Sequence, residues 1–193
     1  GVDKVTGRTL YADDVQMKNM LLAGCVYTTH PHAKAEIDIT AAASLPGVAC
    51  ILTKKDFPKP KSYCDYYYCT DTPCFIGDVL AVVAAEDERS LRQAIKAVKV
   101  RYQDLPSVYT IEEALSPEAP VIRDEGVGLT DGVPDPKKKG NVFLNSYHPL
   151  RKGDTSQGFA MADVTLTRTY ETQLVEHAYI EPESVLTYSD PND

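Results

Sequence analysis

The run Val79-Leu80-Ala81-Val82-Val83-Ala84-Ala85 contains no polar residue, which suits a strand buried on both faces of a sheet. Glu86-Asp87 closes it, and Asp87 is a strong helix N-cap type because its carboxylate can accept a backbone N–H at the helix start. Leu91, Ala94, Ile95 and Val98 then recur at the i, i+3, i+4, i+7 spacing that lines one helical face, while Arg89, Arg92, Gln93 and Lys96 take the other. Val98, Val100 and Tyr102 alternate with Lys99, Arg101 and Gln103 until Leu105-Pro106 stops the run. The patterns predict strand, helix, strand. Such a unit builds a core and does no chemistry by itself.

Upstream of it, Met20 to Tyr27 is a second apolar run and is expected to form a strand, with Thr28-Thr29-His30-Pro31-His32 as the loop that leaves it. Ala35, Ile37 and Ile39 alternate with Glu36 and Asp38, the pattern of a half-buried strand. Thr40 is expected to cap a short helix over Ala41 to Leu45, which Pro46-Gly47 ends before another strand at Val48 to Thr53. Gly7 to Asp14 reads as an extended arm, Lys54 to Pro60 as exposed, and Ser62 to Pro73 as a tyrosine- and cysteine-rich loop. Downstream, Thr110 and Glu113 have capping-box spacing ahead of a short helix. Pro, Gly, Asp and Lys dominate 116–152, marking a linker or long surface loop. Asp154 to Ala162 is expected to form a short helix, and apolar residues between Val164 and Tyr188 mark extended structure.

A chain of 193 residues is long enough to bury a core without staples. Its net charge of -8 disfavours binding to nucleic acid or an anionic membrane, since neither phosphate nor lipid headgroup would be attracted. No apolar run approaches the ~20 residues needed to span a bilayer, and a cytoplasmic location is expected. Five cysteines, an odd number, fit reduced thiols better than a disulfide framework, and Cys25 and Cys50 lie in apolar runs that should place them in the core. The absence of an initiating methionine suggests a piece of a longer chain.

Three groups of residues invite a chemical reading. Cys64, Cys69 and Cys74 could hold a metal with a fourth ligand, but their regular four-residue gaps match neither zinc knuckles nor iron-sulfur runs, and thiols in a loop are expected. His30 and His32 supply two imidazoles where catalytic zinc needs three protein ligands, so a structural loop is expected there. Glu176, His177, Glu181 and Glu183 resemble an acid-base cluster, yet strand alternation would send Glu176 and His177 to opposite faces. No Gly-x-Gly-x-x-Gly, P-loop or Gly-x-Ser-x-Gly motif occurs, which removes support for dinucleotide, nucleotide and serine-hydrolase chemistry.

Several longer segments resemble a known family. Tyr11-Ala12-Asp13-Asp14-Val15, His30-Pro31-His32-Ala33-Lys34-Ala35-Glu36-Ile37-Asp38, Leu45-Pro46-Gly47-Val48 and Lys55-Asp56-Phe57-Pro58 are similar to the a/b hammerhead domain of the molybdenum hydroxylases, the xanthine dehydrogenase and aldehyde oxidase family. The likeness continues through Ile76 to Ala84 and Val98 to Pro106. It resumes at Gly153-Asp154 and at Glu176-His177-Ala178-Tyr179-Ile180-Glu181-Pro182-Glu183, which resembles the opening of the family's molybdenum-cofactor domain. Thr29-His30 stands where the family usually has Arg-Ser, and Gly77-Asp78-Val79 where it has Gly-Glu-Pro or Gly-Gln-Pro. These departures bear on substrate and branch rather than on fold.

The resemblance implies an α+β fold: a hammerhead domain with a mixed sheet and a central packed helix over 1–115, a linker over 116–152, and extended strands of a truncated molybdopterin-binding domain over 153–193. It also implies hydroxylation of a purine, N-heterocycle or aldehyde with water as oxygen source, electrons leaving through iron-sulfur clusters and FAD on partner domains or subunits. In the family, the groups that meet molybdopterin follow the segment matching Asp193. No catalytic, cofactor-binding or metal residue is therefore carried onto this chain, which is expected to be a scaffold, inactive alone and binding no cofactor itself. Two alternatives stay open: a freestanding binding module using the Tyr63 to Tyr68 loop, since aromatics are enriched at binding hot spots, and a redox or metal protein using Cys64, Cys69 and Cys74.

Overall fold

The computed structural model describes residues 1–58, 68–122, 129–130, 133–134, 141, 150, 152–180 and 183–189. The chain divides into two compact units, one of Asn19–Tyr147 and one made of Gly1–Lys18 with His148–Asp193.

The larger unit is built from β1 (Leu22–Tyr27), β2 (Ala33–Asp38), a short helix Thr40–Ala43, β3 (Val48–Thr53), β4 (Val79–Ala85), the helix Glu88–Ala97, β5 (Lys99–Asp104) and a short helix Ile111–Leu115. β4 is the central strand of a three-stranded sheet ordered β1-β4-β3, which is why its sequence carries no polar residue. β2 and β5 form a separate two-stranded ladder with Ile37 opposite Val100 and Glu36 opposite Arg101, and the inward-facing Ala35, Ile37, Val100 and Tyr102 pack against the shared core. Every described ladder is antiparallel, where a mixed sheet was expected. The helix that leaves β4 delivers the chain to the second ladder instead of returning it to the first, so no parallel neighbour of β4 arises.

The Glu88–Ala97 helix starts as its sequence requires: Asp87 accepts the Ser90 N–H at 2.8 Å. Its apolar face, with Leu91 and Ala94 buried, joins Val26, Leu80, Ala81, Val83 and Ala85 in one core. Gly24 on β1 permits the close approach, because a Cβ there would lie 3.0 Å from Ile95 Cδ1. Gly47, at φ +78°, turns the chain from Thr40–Ala43 into β3, and its carbonyl accepts the Glu86 N–H at 2.8 Å.

Two details differ from the local reading. Thr40 does not cap the short helix; it is the helix's first residue, and Asp38 Oδ1 accepts its N–H at 2.9 Å, a bond that holds the Asp38 carboxyl below the usual range. Cys50 is exposed rather than buried, because a register shift between Val48 and Cys50 turns consecutive residues outward, while Cys25 is half-buried.

The expected capping box forms, with the Glu113 N–H bonded to Thr110 Oγ1 at 3.1 Å and Glu113 Oε2 accepting the Thr110 N–H. Within 116–152, β6 (Leu129–Thr130) and β7 (Val133–Pro134) pair antiparallel, and Asn141 ties down the segment before them by donating to Pro120 O at 2.9 Å and accepting the Ile122 N–H. The Lys137 to Lys139 run lies outside the described residues.

In the smaller unit, Ala12–Asp14 forms a 3-10 turn closed by Asp14 Oδ2, which accepts the Tyr11 N–H at 3.0 Å, where an extended arm was expected. A helix over Thr155–Met161 begins at Asp154 as expected, its carboxylate accepting the Ser156 and Gln157 N–H groups. No strand forms among the described residues of 152–189, where strands were expected. A strand needs a hydrogen-bonded neighbour, and none is present there.

Candidate functional site

The loop between β1 and β2 is a densely bonded corner. Thr28 is almost fully buried, donates its N–H to Asp78 O at 2.9 Å and accepts the Gly77 N–H at its carbonyl, which pins the loop to the turn before β4. Thr28 Oγ1 accepts the His30 N–H at 3.1 Å. The His30 ring stacks on Tyr102 of β5 with centroids 3.9 Å apart, and its Nδ1 lies 2.6 Å from Asp104 Oδ1. His32 is buried, and its Nδ1 faces Pro106 O at 2.6 Å, so that nitrogen carries the proton and donates. The Leu105 N–H bonds back to His32 O. Each imidazole is committed to the end of β5 by its own partner. The two histidines join strands, as the loop reading expects.

The cysteines behave differently from one another. Cys69 is 1% exposed, its Sγ 3.9 Å from Leu52 O, and burial, reinforced by Cys25 and Asp56, pushes its thiol up to about 11. It is a free thiol on the loop, as expected, but a buried one. Cys74 Sγ lies 3.5 Å from both Thr72 O and Ile122 O, and Cys64 lies outside the described residues. Among the described residues no group of three His, Cys, Asp or Glu side chains could hold a metal ion. Of the loop's four tyrosines only Tyr68 is described; it is exposed and tilted against Phe57 at 5.2 Å.

Glu176, His177 and Glu183 do not form a working cluster in the smaller unit. Glu176 Oε1 turns back to accept the His177 N–H at 3.1 Å, His177 and Glu183 are exposed, and Glu181 lies outside the described residues. What sequence reading missed is a groove of about 1050 Å³ lined by Tyr11, Asp13, Asp14, Tyr179, Ile180 and Glu183, among others. The only local signal for it was Asp14 three residues after Tyr11, the spacing of a capped turn.

The comparisons with known proteins cover both parts of the chain. Residues 6–106 match the model of the aldehyde oxidase and xanthine dehydrogenase a/b hammerhead domain, and residues 135–193 match that of the molybdopterin cofactor-binding domain. The nicotinate dehydrogenase large molybdopterin subunit of Eubacterium barkeri is 27% identical over 98% of this chain and 42% of its own length. The xanthine dehydrogenase of Dictyostelium discoideum is 28% identical over 95% of this chain and 12% of its own. Among solved structures, the aldehyde oxidoreductase of Desulfovibrio gigas has a TM-score of 0.60 at 28% identity, covering 84% of this chain and 18% of that one. A Cu,Mo-CO dehydrogenase has a TM-score of 0.67 at 28% identity, covering 84% of this chain and 22% of that one. The chain thus spans less than half the length of these relatives. With a hammerhead model matching more than half of its residues, over a range that contains β1 to β5, this chain belongs to the aldehyde oxidase and xanthine dehydrogenase family of molybdenum hydroxylases.

Proposed function

We propose that this chain is part of the large subunit of a molybdenum hydroxylase that inserts a water-derived oxygen into a purine, N-heterocycle or aldehyde, and that this part serves as scaffold and is inactive alone. The carrying observation is the succession of hammerhead and cofactor-domain matches along one chain. The nicotinate dehydrogenase relative favours an N-heterocycle. We assign 1–115 to the hammerhead domain, 116–152 to the linker and 153–193 to the start of the cofactor domain, although the cofactor-domain match begins earlier, at 135. The partners are the remainder of that domain and iron-sulfur and FAD modules, in a cytoplasmic assembly. No helix among the described residues is long and apolar enough to cross a membrane.

Molybdopterin, when bound, supplies the oxygen transfer and accepts the electrons. The described residues do not fit it. The groove beside Tyr11 presents Asp13, Asp14 and Glu183, whose carboxylates repel an anionic pterin phosphate, and no step is routed through it. The chain's own contribution is the rigid core of β4 and the Glu88–Ala97 helix, with the histidine corner locking β1, β2 and β5 together.

The test is to isolate the native polypeptide with an antibody to this chain and measure its mass and molybdenum. A much larger subunit carrying molybdenum and oxidising nicotinate, xanthine or an aldehyde is expected. A metal-free polypeptide of about 21.2 kDa would overturn the proposal.

A further inference from the structure

We draw no further inference here: the strongest candidate, the groove between the Ala12–Asp14 turn and residues 179–185 with its carboxylates Asp13, Asp14 and Glu183, is an apolar cleft with an acidic rim and nothing in the structure shows what covers it.

Discussion

Asp87 shows how much one side chain can be asked to do. Its carboxylate accepts the Ser90 N–H and touches the Ser90 hydroxyl, and the backbone bond from Ser90 is the main reason its carboxyl is held below the usual range. Asp87→Ala is expected to lower the melting temperature at pH 7, whereas Asp87→Asn keeps most of it, because Asn caps about as well. Since the folded pKa is depressed, the stabilisation is fully present above the unfolded Asp value of about 3.9 and is lost as pH falls through the lower folded value. Melting curves across that window should therefore show the gap between wild type and Asp87→Ala closing with acid; a constant gap would mean that the charge plays no part. The thiols offer a second test. Cys50 is exposed and Cys69 is buried with its thiol pushed up to about 11, so alkylation at pH 8 followed by peptide mapping should label Cys50 at least ~10-fold faster. Equal rates would show that Cys69 is accessible.

β4 carries the larger unit because both of its faces and both of its edges are used. Leu80 is fully buried, so Leu80→Ala removes packing that the sheet cannot fill and should cost about 2–5 kcal/mol. The turn into β3 is a second vulnerable point for a different reason. Gly47 has φ +78° and a Cβ there would lie 2.6 Å from Ser90 Oγ, so Gly47→Ala combines backbone strain with a clash against the helix cap and should cost roughly 1–3 kcal/mol. Denaturant midpoints at unchanged slope would measure both. If Gly47→Ala matched wild type, the tight turn would not be needed to bring β3 beside β4.

The two units differ in how much of themselves they bury. Every described residue of 152–189 is exposed except the half-buried Leu186, and large apolar side chains such as Leu174, Ile180 and Val185 are more than 90% exposed. The larger unit owns a continuous core. Brief trypsin digestion of the chain should therefore cut at Lys152 and Arg168 before it cuts at Lys96 or Lys99, leaving a resistant product that retains Asn19 to Asp104. Mass spectrometry of the early fragments checks this, and early cleavage within the helix Glu88–Ala97 would contradict it.

The elements readable from the chain were those set by local chemistry. Apolar period, cap type and turn residues act over a few positions, and they placed β4, the helix after it, β5, the Thr110–Glu113 box and the Asp154 cap. Family-like segments carried the α+β hammerhead assignment, and the comparisons agree with it. Pairing was decided elsewhere, since alternation says that a strand has a buried face but not which strand lies beside it. Hence the antiparallel order β1-β4-β3 and the shift that exposes Cys50 were illegible, and so was the choice of Asp38 over Thr40 at the short helix. The imidazoles are the sharpest case. Whether His30 and His32 meet a ligand or each other depends on residues seventy-four positions away, Asp104 and Pro106, and only the folding of β5 against β2 brings those within 2.6 Å.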